Sequence, residues 1–148
     1  DVLATAVTAT NDGILRVPAQ AGGGNAAAMA GLNIGATAVL TARASTVAIG
    51  ASTAPLPVAL FLCRTDPASG ACVQPAAPTA DPISFTATAN ELFTFAAFVS
   101  YQGSALPLEP ATRRLFIHFD QSGLSVGSAS VAVTTTPAAA AVAAAARD

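Results

Sequence analysis

Apolar and polar residues alternate with a period of two in several short runs of this chain, and Gly or Pro breaks each run. Ile83-Ser84-Phe85-Thr86-Ala87 is one such run. "LFTFAAFVSY", 92–101, places Phe93, Phe95, Val99 and Tyr101 on one face. "RRLFIHFD", 113–120, places Leu115, Ile117 and Phe119 on one face and Arg114, Phe116, His118 and Asp120 on the other. This is the pattern of half-buried strands. Further strands are predicted over 36–45, 56–63 and 130–136, with weaker candidates at 2–9, 13–17, 27–34 and 46–49. "LPVALFLC", 56–63, is continuously apolar and reads as a central strand covered on both faces. Asn11-Asp12-Gly13 reads as a turn. Residues 21–25, 67–70, 74–82 and 106–110 read as loops, since Pro is kept out of central strands. Many short strands with almost no helical periodicity predict an all-β protein, an antiparallel Ig-like β-sandwich of about seven to ten strands.

The division expected is an N-terminal arm or edge strand at 1–12, a sandwich domain over 13–136 and an Ala-rich tail at 137–148. The tail, "PAAAAVAAAARD", has two readings. Thr136 suits a helix cap, Pro137 the first helical position, and Ala is the best helix former. So short a helix is marginal alone in water, and an extended linker is the plainer reading. Both terminal segments are expected to pack on something.

Composition limits the partners. Only 9% of the 148 residues are charged, there is no Lys, and the net charge is −2. An ordinary soluble domain is about 25% charged. Nothing here invites nucleic acid or an anionic membrane. No apolar run reaches the roughly 18–20 residues of a spanning helix. So low a charge favours a subunit that packs against copies of itself. The start at Asp1, without Met or a charged-then-apolar leader, is the form expected of an exported chain after removal of its signal.

Cys63 and Cys72 are the only cysteines, and "RTDPASGA" between them holds the turn formers Asp-Pro and Ser-Gly. An intrachain disulfide is predicted, stable in an oxidising compartment. Two thiols, one distant His and no C-x-x-C spacing do not make a zinc site.

No chemical constellation stands out. His118 and Asp120 share a strand face, and a hydrolase would recruit a serine beside them. An exposed, dispensable strand histidine is the expected reading, and no Gly-x-Ser-x-Gly elbow is present. Asp1, Asp12, Asp66, Asp81, Glu91, Glu109, Asp120 and Asp148 are scattered singly, unlike a calcium loop or a glycosidase pair. Gly22-Gly23-Gly24 lacks the Lys and following helix of a phosphate loop. Arg113-Arg114 reads as a solvated strand start. Sugar-binding sandwiches display exposed aromatics, whereas this chain has no Trp and one Tyr, Tyr101. No catalytic, cofactor-binding or metal-binding residue is therefore predicted, and no cofactor.

The stretch "LPVALFLCRTDPASGACVQPAAP", followed by "ISFTATANELFTFAAFVSYQGSALPLEPATRRLFIHFDQSGLSVGSASVAVTT", resembles an Ig-like β-sandwich repeat of large secreted bacterial proteins. Such repeats run from a Cys-turn-Cys segment through a Thr-rich strand and an aromatic strand to a Gly-rich hairpin ending in "SVAV". Residues 13–17 and 27–35 fit its first half, so the likeness covers most of 13–135. His118 stands where a basic residue is usual, and here there is one copy rather than an array. The resemblance implies architecture and export, with no chemistry attached.

The function expected is that of a non-enzymatic, secreted or cell-surface structural subunit of a filament, sheath or surface layer, joined through terminal segments and sheet edges. An adhesive or ligand-binding module of a cell-surface protein is the alternative. The N-terminal arm has two options: a hairpin onto "ILRV" at 14–17, or addition to the edge of a neighbour's sheet.

Overall fold

The structure is a computed structural model that describes residues 1–137. The strands are β1 (Val2–Val7), β2 (Ile14–Pro18), β3 (Gly24–Asn33), β4 (Ala38–Ser45), β5 (Val58–Thr65), β6 (Cys72–Thr79), β7 (Ile83–Ala87), β8 (Leu92–Tyr101), β9 (Arg114–Gln121) and β10 (Leu124–Thr136). They form two five-stranded sheets, in the orders β1-β3-β8-β5-β6 and β2-β10-β9-β4-β7. Every pairing is antiparallel except β10 with β2, which is parallel. The expected all-β sandwich is present, with ten strands among the described residues.

The period-two pattern fills the space between the sheets. Phe93, Phe95, Ala97 and Val99 of β8 face Leu115, Ile117 and Phe119 of β9, all fully buried. Phe85, Phe93, Phe95 and Phe119 form a four-ring cluster with centroids 5.0–6.4 Å apart. Met29, Leu40, Leu62, Leu15 and Val17 surround it.

Four local expectations are corrected. The arm does not fold back as a hairpin onto β2. β1 pairs with β3, from Val2↔Asn33 to Val7↔Ala28, while β2 joins the other sheet beside β10. The turn at 8–13 therefore carries the chain between layers, because Val2 and Leu15 both seek the interior. Residues 46–49 form no strand. The predicted loop 74–82 is largely β6, whose Pro75 and Pro78 are tolerated because β6 is an edge strand. His118 is not exposed: its relative exposure is 0%. Residues 46–57 fold over the outer face of β9, and the His118 ring sits beneath them. Its Nε2 lies 2.9 Å from the Val47 carbonyl, which requires the Nε2–H tautomer to donate. The ring stacks on Phe116 at 5.2 Å. Among the described residues its Nδ1 has no partner. The Ala-rich tail reading falls on residues outside the described ones.

The cysteines are joined. Cys63 near the end of β5 and Cys72 at the start of β6 lie 5.5 Å apart at Cα. The turn between them is held by Asp66 N–H to Ala71 O, Gly70 N–H to Asp66 O and Ala68 N–H to Asp66 Oδ1.

Replacing both cysteines by Ala should lower unfolding stability by about 2–3 kcal/mol, the loop-closure value for so short a ring, read from urea midpoints. Mass after alkylation without reductant should show no free thiol in the parent. His118→Ala should cost about 2–4 kcal/mol, since it opens a cavity and strands the Val47 carbonyl. Burial, and the Arg43 cation nearby, hold the folded His118 below its ordinary value of 6.5, against the opposing pull of the Val47 bond and Asp120. The unfolded state then binds the extra proton first. Stability is thus fully present above about pH 6.5 and falls as the pH drops below it. Urea midpoints between pH 7 and pH 5 should decline in the parent and stay flatter in His118→Gln. Equal slopes would exclude this histidine as the cause.

Candidate functional site

The residues picked out for chemistry are dispersed by the fold. Asp120 pairs with Arg43 (Nε to Oδ2, 2.7 Å), not with His118, whose Nε2 is taken by Val47. No proton relay connects the two. Arg113 and Arg114 are half-buried braces rather than a solvated strand start. Arg113 donates to Pro107 O at 3.0 Å and pairs with Glu109 at 3.1 Å. Arg114 donates to Ser130 Oγ at 2.9 Å and to Pro110 O at 2.9 Å. The cleft they border, about 330 Å³ between residues 46–56 and 109–116, thus has its cations already engaged.

Asp12 and Glu91 are the acids with displaced titration. Asp12 is held well below the carboxylate range by hydrogen bonds from Arg16, Thr10 and the Ile14 amide. Glu91 is lowered chiefly by the Thr88 amide, then by the Thr88 hydroxyl and Arg64. Both are turn clasps: Arg16–Asp12 and Arg64–Glu91 are ion pairs at 2.8 and 2.7 Å. Gly22-Gly23-Gly24 is no open loop either. Gly23 N–H bonds Gln20 O at 2.8 Å, and Gly24 already belongs to β3. Among the described residues, no three of His, Cys, Asp and Glu gather as metal ligands. No helix there is long and apolar enough to cross a membrane.

The surface that does stand out is the outer face of the first sheet. Strand register sets its side chains in rows. Leu3, Leu32 and Leu92 form one row, and Thr5, Ala30, Thr94 and Thr65 the next. Val7, Ala28, Ala96 and Cys63 follow, and then Ala26, Phe98 and Phe61. None carries a charge. Leu3 (60%), Val7 (51%) and Leu92 (60%) are strongly exposed for such side chains. Three adjoining hollows of about 320, 370 and 200 Å³ follow β3 along this face. They make one trough, with a floor of Ala26, Ala28 and Ala30, one wall on β1 and the other at the 66–70 turn. Asp66 is the sole charged residue lining it among the described residues. The second sheet differs: Arg43–Asp120, Arg114 and the Thr41–Ser84 hydroxyl pair lie on its outer side.

The sheet edges are covered despite the low charge. Asn25 Nδ2 donates to Arg16 O on β2 (2.9 Å), and Gln74 Nε2 to Ser84 O on β7 (2.8 Å). β6 carries two prolines. β1 lies against β10 so closely that a Cβ on Gly127 would overlap Val2. These devices do the work that edge charges do elsewhere. Sequence reasoning missed the neutral face because it emerges only when four strands align. The run of small residues in "GNAAAMAGLN" is its one local signal.

No protein-family model matches the chain, and no curated protein matches it. Solved structures give low-identity likenesses. A structure described as AvmM, which catalyses macrocyclization in alchivemycin A biosynthesis, is 11% identical with a TM-score of 0.42, over 93% of this chain and 91% of that one. PapD-like domain 7 of human CEP192 is 12% identical with a TM-score of 0.41, over 93% and 86%. The N-terminal domain of PorA is 8% identical with a TM-score of 0.34, over 90% and 98%.

Proposed function

We propose that this chain is a non-enzymatic structural subunit of an extracellular assembly, a filament, sheath or surface layer built from copies of itself. The uncharged outer face of the first sheet carries the reading. Isolated exposed apolar residues are ordinary, but a contiguous uncharged and largely apolar face on one side of a sandwich marks an interaction surface. The face, rather than the covered edges, is the contact this geometry favours. The disulfide and the lack of a membrane-crossing helix among the described residues are compatible with export. The resemblance to Ig-like repeats of secreted bacterial proteins supports the same compartment. The rival, a ligand-binding module, would draw on the cleft beside Arg113 and Arg114, whose guanidinium groups are already engaged with the chain itself.

Sedimentation velocity and negative-stain images of the purified chain should show particles far above 14.4 kDa that grow with concentration. Val7→Lys with Leu92→Lys places two cations on the face at exposed positions. This variant should keep the parent's melting curve and require at least about tenfold more protein to assemble. A parent that stays monomeric at millimolar concentration would overturn the reading.

A further inference from the structure

We propose that the trough on the first sheet receives residues 138–148, "AAAAVAAAARD", of a neighbouring copy. The proposal rests on the assembly reading above and supplies its contact.

Shape is the first argument. The surface is a trough with raised sides, and two concave faces do not mate at interior packing density. A narrow ridge does. Its floor is Ala methyls, so an occupant with small side chains can approach closely. The sheet's own N–H and C=O groups are spent in its ladders, so an extended segment lying on this face would leave its backbone unpaired. The occupant has to satisfy its own hydrogen bonds, as a helix does. Ala-rich sequence after Thr136-Pro137 has the composition for it. Docking provides what an isolated helix of that length lacks in water. Length agrees: eleven residues at about 1.5 Å each span about 16 Å. The trough from Ala26 to Leu32 is about 20 Å.

Reach decides which copy supplies the segment. The described chain leaves the body at Pro137, where Thr136 O accepts from Ala19 N–H at 2.8 Å. That end of the sandwich also holds Gly24 and its partner Ser100. From there to Asp66 is one sandwich thickness of about 10 Å plus about 20 Å along β8 to Thr94. A helix ending at Arg147 covers about half of that. Full extension would only just reach, at the backbone cost already given. A helix from Pro137 therefore cannot bring Arg147 to its own Asp66 or fill the length of its own trough, whereas a neighbour's can. Charge adds a register mark. Arg147 is the segment's single cation, and Asp66 is the trough's single charge and forms no ion pair among the described residues. A contact of this head-to-tail kind propagates as an open polymer.

A mixing experiment on full-length chains tests it. One variant, Ala28→Arg with Ala30→Arg, spoils the trough but keeps its tail. The other, Ala141→Asp with Ala145→Asp, spoils the tail but keeps its trough. Each alone should sediment as a monomer with an unchanged melting curve. Mixed equally, they should form a 1:1 dimer of twice the monomer mass and nothing larger. Should the trough variant unfold, Asp66→Arg lies in a turn and should weaken assembly about three- to tenfold, with Arg147→Asp in the same chain restoring it. A tail variant that still assembles like the parent, or a mixture that stays monomeric while the parent assembles, would overturn the docking and leave the assembly reading standing. A monomeric parent would instead remove the assembly reading itself.

Discussion

The packing of four phenylalanines between the sheets is the contact on which the rest of the sandwich hangs. Phe85 comes from β7, Phe93 and Phe95 from β8, and Phe119 from β9, so the cluster ties an edge strand of one sheet to the centre of the other. Edge-to-face ring pairs contribute about 0.5–1.5 kcal/mol each beyond their buried area. The neighbours are cut to fit. Ala42, Ala87 and Ala97 are fully buried beside the rings, and a Cβ on Gly31 would fall inside the Phe93 ring. One end of the cluster is closed by Arg64, whose guanidinium sits 5.0 Å from the Phe85 centroid while Glu91 holds it in place. A chain with few bulky side chains gains a dense core by concentrating the ones it has.

That layout was legible where the signal is local. β7 and β8 fall at the boundaries read from alternation, 83–87 and 92–101, because one face of each strand is buried and the other is not. The inward and outward sets of β9 were likewise assigned correctly. Misreadings arose where the deciding contact is distant in sequence. An Asn-Asp-Gly turn predicts a hairpin, but β1 gains more by lying on β3 than on β2. Prolines at 75 and 78 argue against a central strand and are silent about an edge one. The burial of His118 depends on Val47, 71 residues away, and no pattern around His-Phe-Asp reports that cover.

The few charges have been placed with consequence. Of the four ion pairs among the described residues, three sit on the second sheet or in its loops, and the fourth, Arg64–Glu91, closes one end of the core. Asp12 clasps the turn entering β2, Asp120 joins β9 to β4 through Arg43, and Glu109 secures the loop before β9. Such exposed pairs contribute little individually to stability. Their larger effect is on the surface they leave behind, since among the described residues Asp66 is the sole charge lining the trough on the outer side of the first sheet.

Edge protection completes this asymmetry. A sandwich with so little charge would ordinarily be at risk of indiscriminate strand addition. Here a side-chain amide, a pair of prolines or close packing on β10 occupies each edge, and none of these devices uses charge. Because the main-chain edges are closed by neutral groups, the contact proposed between copies would fall on side-chain surfaces, where shape can discriminate. A flat neutral face would discriminate poorly. A trough floored with alanine and walled by β1 and the disulfide-held 66–70 turn admits only a slender partner. In this fold the disulfide therefore helps shape a surface as well as closing a loop. The low charge of the chain leaves one face neutral, and the association proposed here would use that face.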